Sequence, residues 1–265
     1  MDKEPIIEIR DLVKSFGPRR ILDGVNLDIY KGETLVVMGG SGCGKSTLLR
    51  HIVGSLKPDS GKVLMKGKEI SGLRTAELDE LKKSFGMMFQ SAALLDYMTV
   101  EENISLPLVE HTDLDPEVIK IMVKMKLELV GLRGFQDLKP SQLSGGMKKR
   151  VGIARAIAMD PEMLFCDEPT AGLDPIVAAV IDRLIVDLSK KLMMTSIVVT
   201  HDMQSVFRIA DRIAMLHQGR VIAHGTPDEI RSSDNDLVKQ FIEGNPDGPV
   251  AFLKQGDEYI NQLME

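Results

Sequence analysis

The sequence predicts an α/β fold organised around a phosphate-binding loop, and three observations lead there. Gly39-Gly40-Ser41-Gly42-Cys43-Gly44-Lys45-Ser46 fits G-x-x-x-x-G-K-[ST], directly after the apolar run 35–38 and before the helix-like run 47–52. A second apolar run, 163–166, ends in Asp167-Glu168-Pro169. It reads as a buried strand delivering two carboxylates to its C-terminal end, where open α/β sheets bind ligands. Strand-like runs and helix-spaced segments then alternate to about residue 241.

Taken in order, 6–13 and 21–29 read as strands with alternating apolar residues, joined at Gly17-Pro18. Residues 63–65 and the Lys66-Gly67-Lys68 turn suggest a further hairpin. These strands are expected to form an antiparallel layer beside the nucleotide. In the loop that follows the central strand, Gly39, Gly40, Ser41, Gly42, Cys43 and Gly44 let backbone N–H groups approach phosphate oxygens. Lys45 brings positive charge to the β- and γ-phosphates, and the Ser46 hydroxyl is placed to ligate Mg²⁺. From Thr47 a helix starts, so its N-terminus faces the same anion. Cys43, at that N-terminus and near Lys45, is expected to favour the thiolate and react with thiol reagents.

Residues 91–160 change character and are read as a mostly helical subdomain. Val118, Ile121, Met122, Met125 and Leu129 mark a helical stripe. The subdomain ends in Leu143-Ser144-Gly145-Gly146-Met147 and a helix of interleaved cationic and apolar residues. Ser144, Gly145 and Gly146 make a second phosphate-ready helix N-terminus. One nucleotide has no need of two such sites in one chain. The expected solution is a head-to-tail pair of copies, each lending its Ser144 turn to the other's ATP.

At the end of the second apolar run, Asp167 suits Mg²⁺ and Glu168 suits a base for the attacking water. Val177, Val180, Ile181, Leu184 and Leu188 form a helical stripe after Pro175. Strands at 197–200, 213–216 and 221–223 complete the core. The 1–90 and 161–241 segments thus form one ATP-binding core, and 242–265 a tail. The tail is rich in Pro, Gly and acid, yet carries Val250, Phe252, Leu253, Tyr259, Ile260 and Leu263. It is expected to tether the paired copies or a small partner.

Composition narrows the classes. The formal charge is −6, from 33 Lys+Arg and 39 Asp+Glu, which argues against a nonspecific nucleic-acid binder. No run approaches the ~18 apolar residues of a membrane span, and no signal peptide opens the chain. The two cysteines, Cys43 and Cys166, lie in motifs and not in a disulfide framework, which suits a reducing cytoplasm. There are 16 Met and no Trp. The methionines either fill the core or line an adaptable groove, with Met87 and Met88 the candidates for the groove.

The motif set resembles the ATPase subunits of ABC transporters over nearly the whole chain. Gln90 in Met88-Phe89-Gln90 matches the Q-loop glutamine, which touches Mg²⁺ and senses the membrane partner. Ala171-Gly172-Leu173-Asp174 matches the D-loop, placing Asp174 at the nucleotide interface. His201 matches the switch histidine near the γ-phosphate, and Phe16 the aromatic that stacks on adenine. The resemblance implies a P-loop NTPase of the ABC ATPase class, with a RecA-like core, an antiparallel β layer and a helical subdomain. It implies ATP and Mg²⁺, with Lys45, Glu168 and His201 catalytic and with Ser46, Gln90 and Asp167 around the metal.

A finer resemblance is to Mla-type (MlaF-like) systems, which move phospholipid between the membranes of diderm bacteria. It rests on Glu110-His111-Thr112, on Met125-Lys126-Leu127-Glu128-Leu129-Val130-Gly131-Leu132-Arg133-Gly134, on Met147 where most relatives carry Gln, and on Asp247-Gly248-Pro249-Val250-Ala251-Phe252. A thioether cannot donate the hydrogen bonds of an amide, so the contact made there in other relatives is in doubt. The implied partners are a second copy, a transmembrane permease, an MCE-domain protein and a small STAS-domain protein, at the cytoplasmic face of the inner membrane. An ABC ATPase for another cargo, such as an amino acid or a lipoprotein, and a soluble ABC protein of translation or repair are the alternatives. A P-loop GTPase would need an Asn-Lys-x-Asp reader, and the chain has no Asn-Lys dipeptide.

Overall fold

The computed structural model describes residues 4–249. Strands β1 (Pro5–Phe16) and β2 (Arg19–Tyr30) form a long hairpin. Strand β3 (Thr34–Met38) leads through the glycine-rich loop into helix α1 (Lys45–Ile52). Strands β4 (Ser60–Met65) and β5 (Lys68–Glu69) complete an antiparallel four-stranded sheet of order β2-β1-β4-β5. Helix α2 (Thr75–Lys82) and strand β6 (Phe85–Met88) follow. Three helices come next: α3 (Val100–His111), α4 (Pro116–Leu129) and α5 (Gly145–Ala156). The chain then alternates β7 (Met163–Asp167), α6 (Pro175–Lys191), β8 (Thr195–Thr200), α7 (Met203–Ile209), β9 (Arg212–His217) and β10 (Arg220–Gly225). Helices α8 (Pro227–Arg231) and α9 (Asp236–Glu243) end the described fold.

The main sheet has the order β10-β9-β3-β8-β7-β6, parallel except at the β10 edge. Its inner strands β3, β7, β8 and β9 are buried on both faces, and period-2 alternation divides their side chains between two cores. Val36, Met38, Leu164, Cys166, Val198 and Met215 join the core built with α3–α7. Leu35, Val37, Phe165, Ile197, Val199 and Leu216 join the core shared with β1, β2, β4 and α1. Because β8 lies between β3 and β7, its C-terminal end falls between the glycine-rich loop and Asp167-Glu168.

Three expectations need correction. On α4 the buried residues are Ile119, Val123, Lys126 and Leu127, while Val118, Ile121 and Met125 are 42%, 58% and 61% exposed. The helix is apolar on two sides, and the buried one is an i, i+4, i+8 row that packs on α3 and α5. Lys126 enters that face because its ammonium pairs with Asp160. On α6, Ile181 and Leu188 are buried as expected, but Val180 is exposed and Ile185 takes the inner position. Met88 is fully buried core, whereas Met87 lines an open groove with Phe85, Phe89, Leu106 and Pro107.

The residues expected to form the tail begin inside α9, which continues to Glu243 and is closed by Gly244 in the left-handed region. Val250, Phe252, Leu253, Tyr259, Ile260 and Leu263 lie outside the described residues.

Candidate active site

The glycine-rich loop needs its glycines for space as well as for dihedral freedom. Gly39 has φ +150, and a Cβ there would stand 2.1 Å from the Leu216 carbonyl oxygen. Gly44 has φ +109, and a Cβ there would meet the Ile21 carbonyl at 2.9 Å. Only a bare backbone fits between β9 and β2. Lys45 curls back, its Nζ donating to the Gly39 and Gly40 carbonyls at 2.8 and 3.0 Å. The loop and the ends of β7 and β8 border a cavity of about 490 Å³ lined by Phe16, Ser41, Gly42, Gly44, Lys45, Ser46, Thr47, Gln90, Glu168 and His201.

Five side chains form its reactive end. Ser46 Oγ donates to Asp167 Oδ1 at 3.0 Å. His201 Nδ1 and Glu168 Oε1 are 2.9 Å apart, and Thr200 Oγ1 donates to Glu168 Oε2 at 3.3 Å. Glu168 is buried, with φ +48. A left-handed glutamate costs on the order of 1–3 kcal/mol and persists only where surrounding bonds impose it. Here the Glu168 N–H donates to the Val199 carbonyl at 2.8 Å, turning the chain sharply out of β7. Burial pushes the Asp167 carboxyl above its ordinary value, with the Ser46 hydroxyl opposing.

The donor set fits Mg²⁺. Ser46 and Asp167 offer two oxygens in contact, and Gln90 lines the same cavity. Among the described residues no cluster of three or more His, Cys, Asp or Glu could hold a metal alone. Mg²⁺ is commonly held by one carboxylate with substrate phosphates and water completing the octahedron.

Ser144, Gly145, Gly146 and Asp174 do not line this cavity. Ser144 N-caps α5, accepting from the Met147 N–H at 3.3 Å, and is exposed. Asp174 N-caps α6, its Oδ1 accepting from the Ile176 and Val177 N–H groups at 3.0 Å. A Cβ on Gly146 would meet Val177 Cγ1 at 2.5 Å, so the Ser144-Gly145-Gly146 turn, the signature turn of this chain, lies against α6 of its own chain. Met147 packs on the apolar core, a contact that a thioether serves without a donor.

Cys43 departs from expectation. It is buried, and desolvation pushes its thiol up, outweighing the attraction of Lys45. Burial likewise pushes Cys166 up to about 12. Neither is placed to be a ready thiolate.

The structure adds residues that sequence reading missed. Arg19 and Ile21 line the nucleotide cavity. Thr200 holds Glu168, and its signal was only a hydroxyl at the end of an apolar strand. Lys149, one of the cationic residues interleaved along α5, is buried. Its Nζ donates to the Gln90 carbonyl and, at 3.3 Å, to the Glu168 carbonyl, bracing both loops from the signature helix.

Comparison with known proteins agrees with this geometry. A family profile described as ABC transporter matches residues 22–171. A Haemophilus influenzae protein described as "Intermembrane phospholipid transport system ATP-binding protein MlaF" is 44% identical over 260 residues, covering 98% of each chain. Its Escherichia coli counterpart of the same description is 40% identical, covering 98% of this chain and 96% of that one. Among solved structures, cbiO1 from Clostridium perfringens, part of the ABC transporter complex cbiONQ, superposes with a TM-score of 0.81 at 32% identity over 99% of both chains. The ATP-binding cassette MJ0796, dimeric and bound to ADP and Pi, superposes at 0.76 with 32% identity, covering 83% of this chain and 98% of that one. With a phosphate loop, a paired carboxylate and histidine, and a signature turn on one scaffold, this chain belongs to the ABC transporter family as an ATP-binding, ATP-hydrolysing subunit.

Proposed function

We propose that two copies of this chain close on two ATP molecules and power phospholipid transport between bacterial membranes. The observation that carries the hydrolytic part is the 2.9 Å contact of Glu168 with His201 at the mouth of the phosphate loop. Glu168 accepts the proton of the attacking water, and Thr200 and His201 hold its carboxylate in line. Lys45 leaves its carbonyl partners for the β- and γ-phosphates. The glycine-rich backbone N–H groups hold the remaining phosphate oxygens, and Phe16, about half exposed at the cavity edge, stacks on adenine. Ser46, Asp167 and Gln90 hold Mg²⁺, which when bound neutralises charge building on the phosphates. Ser144, Gly145, Gly146 and Asp174 act on the ATP of the other copy.

The phospholipid cargo is supported by the likeness to the two MlaF proteins across almost the full chain. Among the described residues no helix is long and apolar enough to cross a membrane. The likeness to the MlaF proteins supports a peripheral subunit that works on a permease at the cytoplasmic face of the inner membrane. The groove containing Met87, next to Gln90, receives a helix of that permease. An MCE-domain protein and a small STAS-domain protein complete the assembly. The test is reconstitution with its permease in vesicles carrying labelled phospholipid. ATP-dependent movement of the label, lost with Glu168→Gln, is expected. ATP hydrolysis without lipid movement, alongside movement of an amino acid or lipoprotein, would assign another cargo.

A further inference from the structure

We propose that Asp182 is a positioning residue that sets His201 against Glu168 by way of Ser205 and helix α7. The proposal rests on the catalytic reading of Glu168 and His201 given above.

Asp182 lies in the middle of α6 and is fully buried. Its Oδ2 accepts from Ser205 Oγ at 2.8 Å and from the Arg208 guanidinium at 2.5 Å. Its Oδ1 is buried with no hydrogen-bond partner. A buried carboxylate with one oxygen unserved is a costly way to join two helices, and apolar side chains would join them more cheaply. What the carboxylate adds is direction. Both of its partners sit on α7, which begins two residues after His201.

From Ser205 a run of contacts continues into the active site. Ser205 Oγ also reaches Asp202 Oδ2 at 3.1 Å and Thr170 Oγ1 at 3.5 Å. Asp202 caps α7, accepting from the Gln204 N–H at 2.9 Å. Its own N–H donates to Thr200 Oγ1 at 3.1 Å, and that hydroxyl donates to Glu168 Oε2 at 3.3 Å. Ser205, Thr170 and Thr200 are all buried, so water does not compete with these bonds. Ser205 has one hydroxyl proton for two carboxylates. A shift of Asp202 is therefore felt at Asp182.

His201 needs such support. Its side chain is 66% exposed, and Glu168 is its one hydrogen-bond partner among the described residues. Packing does not fix it, so its placement follows the backbone entering α7. Helix α6 is N-capped by Asp174, the residue assigned above to the nucleotide of the other copy. Asp182 thus ties the helix that meets the second copy to the helix that carries the switch histidine.

The test uses the full chain and its steady-state ATP hydrolysis, with binding of a non-hydrolysable ATP analogue and Tm measured alongside. Asp182→Asn and Ser205→Ala are expected to lower kcat about five- to twenty-fold, as a small misplacement of a catalytic group does. KM and analogue Kd should stay within about twofold, because neither residue touches nucleotide. Ser205→Thr, which keeps the hydroxyl, should recover most of kcat. In a His201→Ala background, Asp182→Asn should cost little more. If His201→Ala collapses kcat while Asp182→Asn and Ser205→Ala stay within twofold of the parent, the positioning role alone is wrong. If His201→Ala itself leaves kcat unchanged, the catalytic reading and the positioning role fall together. Parallel losses in Tm, analogue affinity and kcat, not rescued by Ser205→Thr, would make Asp182 a structural residue only.

Discussion

The two glycine-rich turns of this chain are built from similar parts and finish differently. Residues 39–46 and 144–146 each place small residues and a serine at the start of a helix. The first turn is surrounded by its own chemistry, with Asp167, Glu168, His201 and Gln90 about one cavity. The second has no such company. Ser144 is exposed, engaged only in capping α5, and backed by the apolar side chains of α6. The same local device is a site in one place and half a site in the other. The difference lies in which strand ends converge on it, since β3, β7 and β8 all deliver residues to the first turn. A helix N-terminus alone carries partial charge, and chemistry requires the second set of groups.

The largest expected effect breaks the first turn's advantage. Glu168→Gln should lower ATP turnover about 10²–10⁴-fold while nucleotide still binds. Near-parental turnover in a stopped assay of phosphate release would remove Glu168 from its role. A smaller effect probes how that loop is held from behind. The Phe241 ring lies 3.0 Å from where a Gly40 Cβ would stand and 6.4 Å from the His217 ring. Phe241→Ala should leave the loop looser and raise the KM for ATP by roughly threefold with little change in kcat. The smallest effect concerns Cys43. Because burial holds its thiol above the ordinary value of 9.0, alkylation should be slow at neutral pH and should still be rising with pH at 9, where an ordinary thiol levels off. Cys43→Ala should leave thiol-reagent sensitivity at pH 7 unchanged. Rapid, Cys43-dependent inactivation at pH 7 would mean that the loop opens far more than its packing indicates.

The same contrast explains what the sequence made legible. The first turn was readable because Gly39 and Gly44 are required by neighbouring carbonyls, and only glycine leaves that trace. Asp167, Glu168 and His201 were readable because apolar strands end in them. The face of α4 was not. Its row Ile119, Val123 and Leu127 and its row Val118, Ile121 and Met125 are equally apolar, and only packing on α3 and α5 distinguishes them. The burial of Lys126 and Lys149 was not legible either, because it depends on an acceptor distant in sequence, Asp160 or the Gln90 carbonyl. Cys43 was misjudged for a related reason. Sequence shows the nearby lysine, and only the fold shows the desolvation that outweighs it.

The central claim is that the Ser144 turn is completed by the phosphate loop of a second copy. It is tested most directly by mixing two inactive chains, one carrying Lys45→Ala and the other Ser144→Arg. Each alone damages both sites of a symmetric pair. In a mixed pair one site carries both defects and the other carries neither. ATPase activity should therefore reappear on mixing, up to roughly a quarter of the parental value for random pairing with independent sites. A mixture that forms pairs yet stays as inactive as either variant alone would contradict the account.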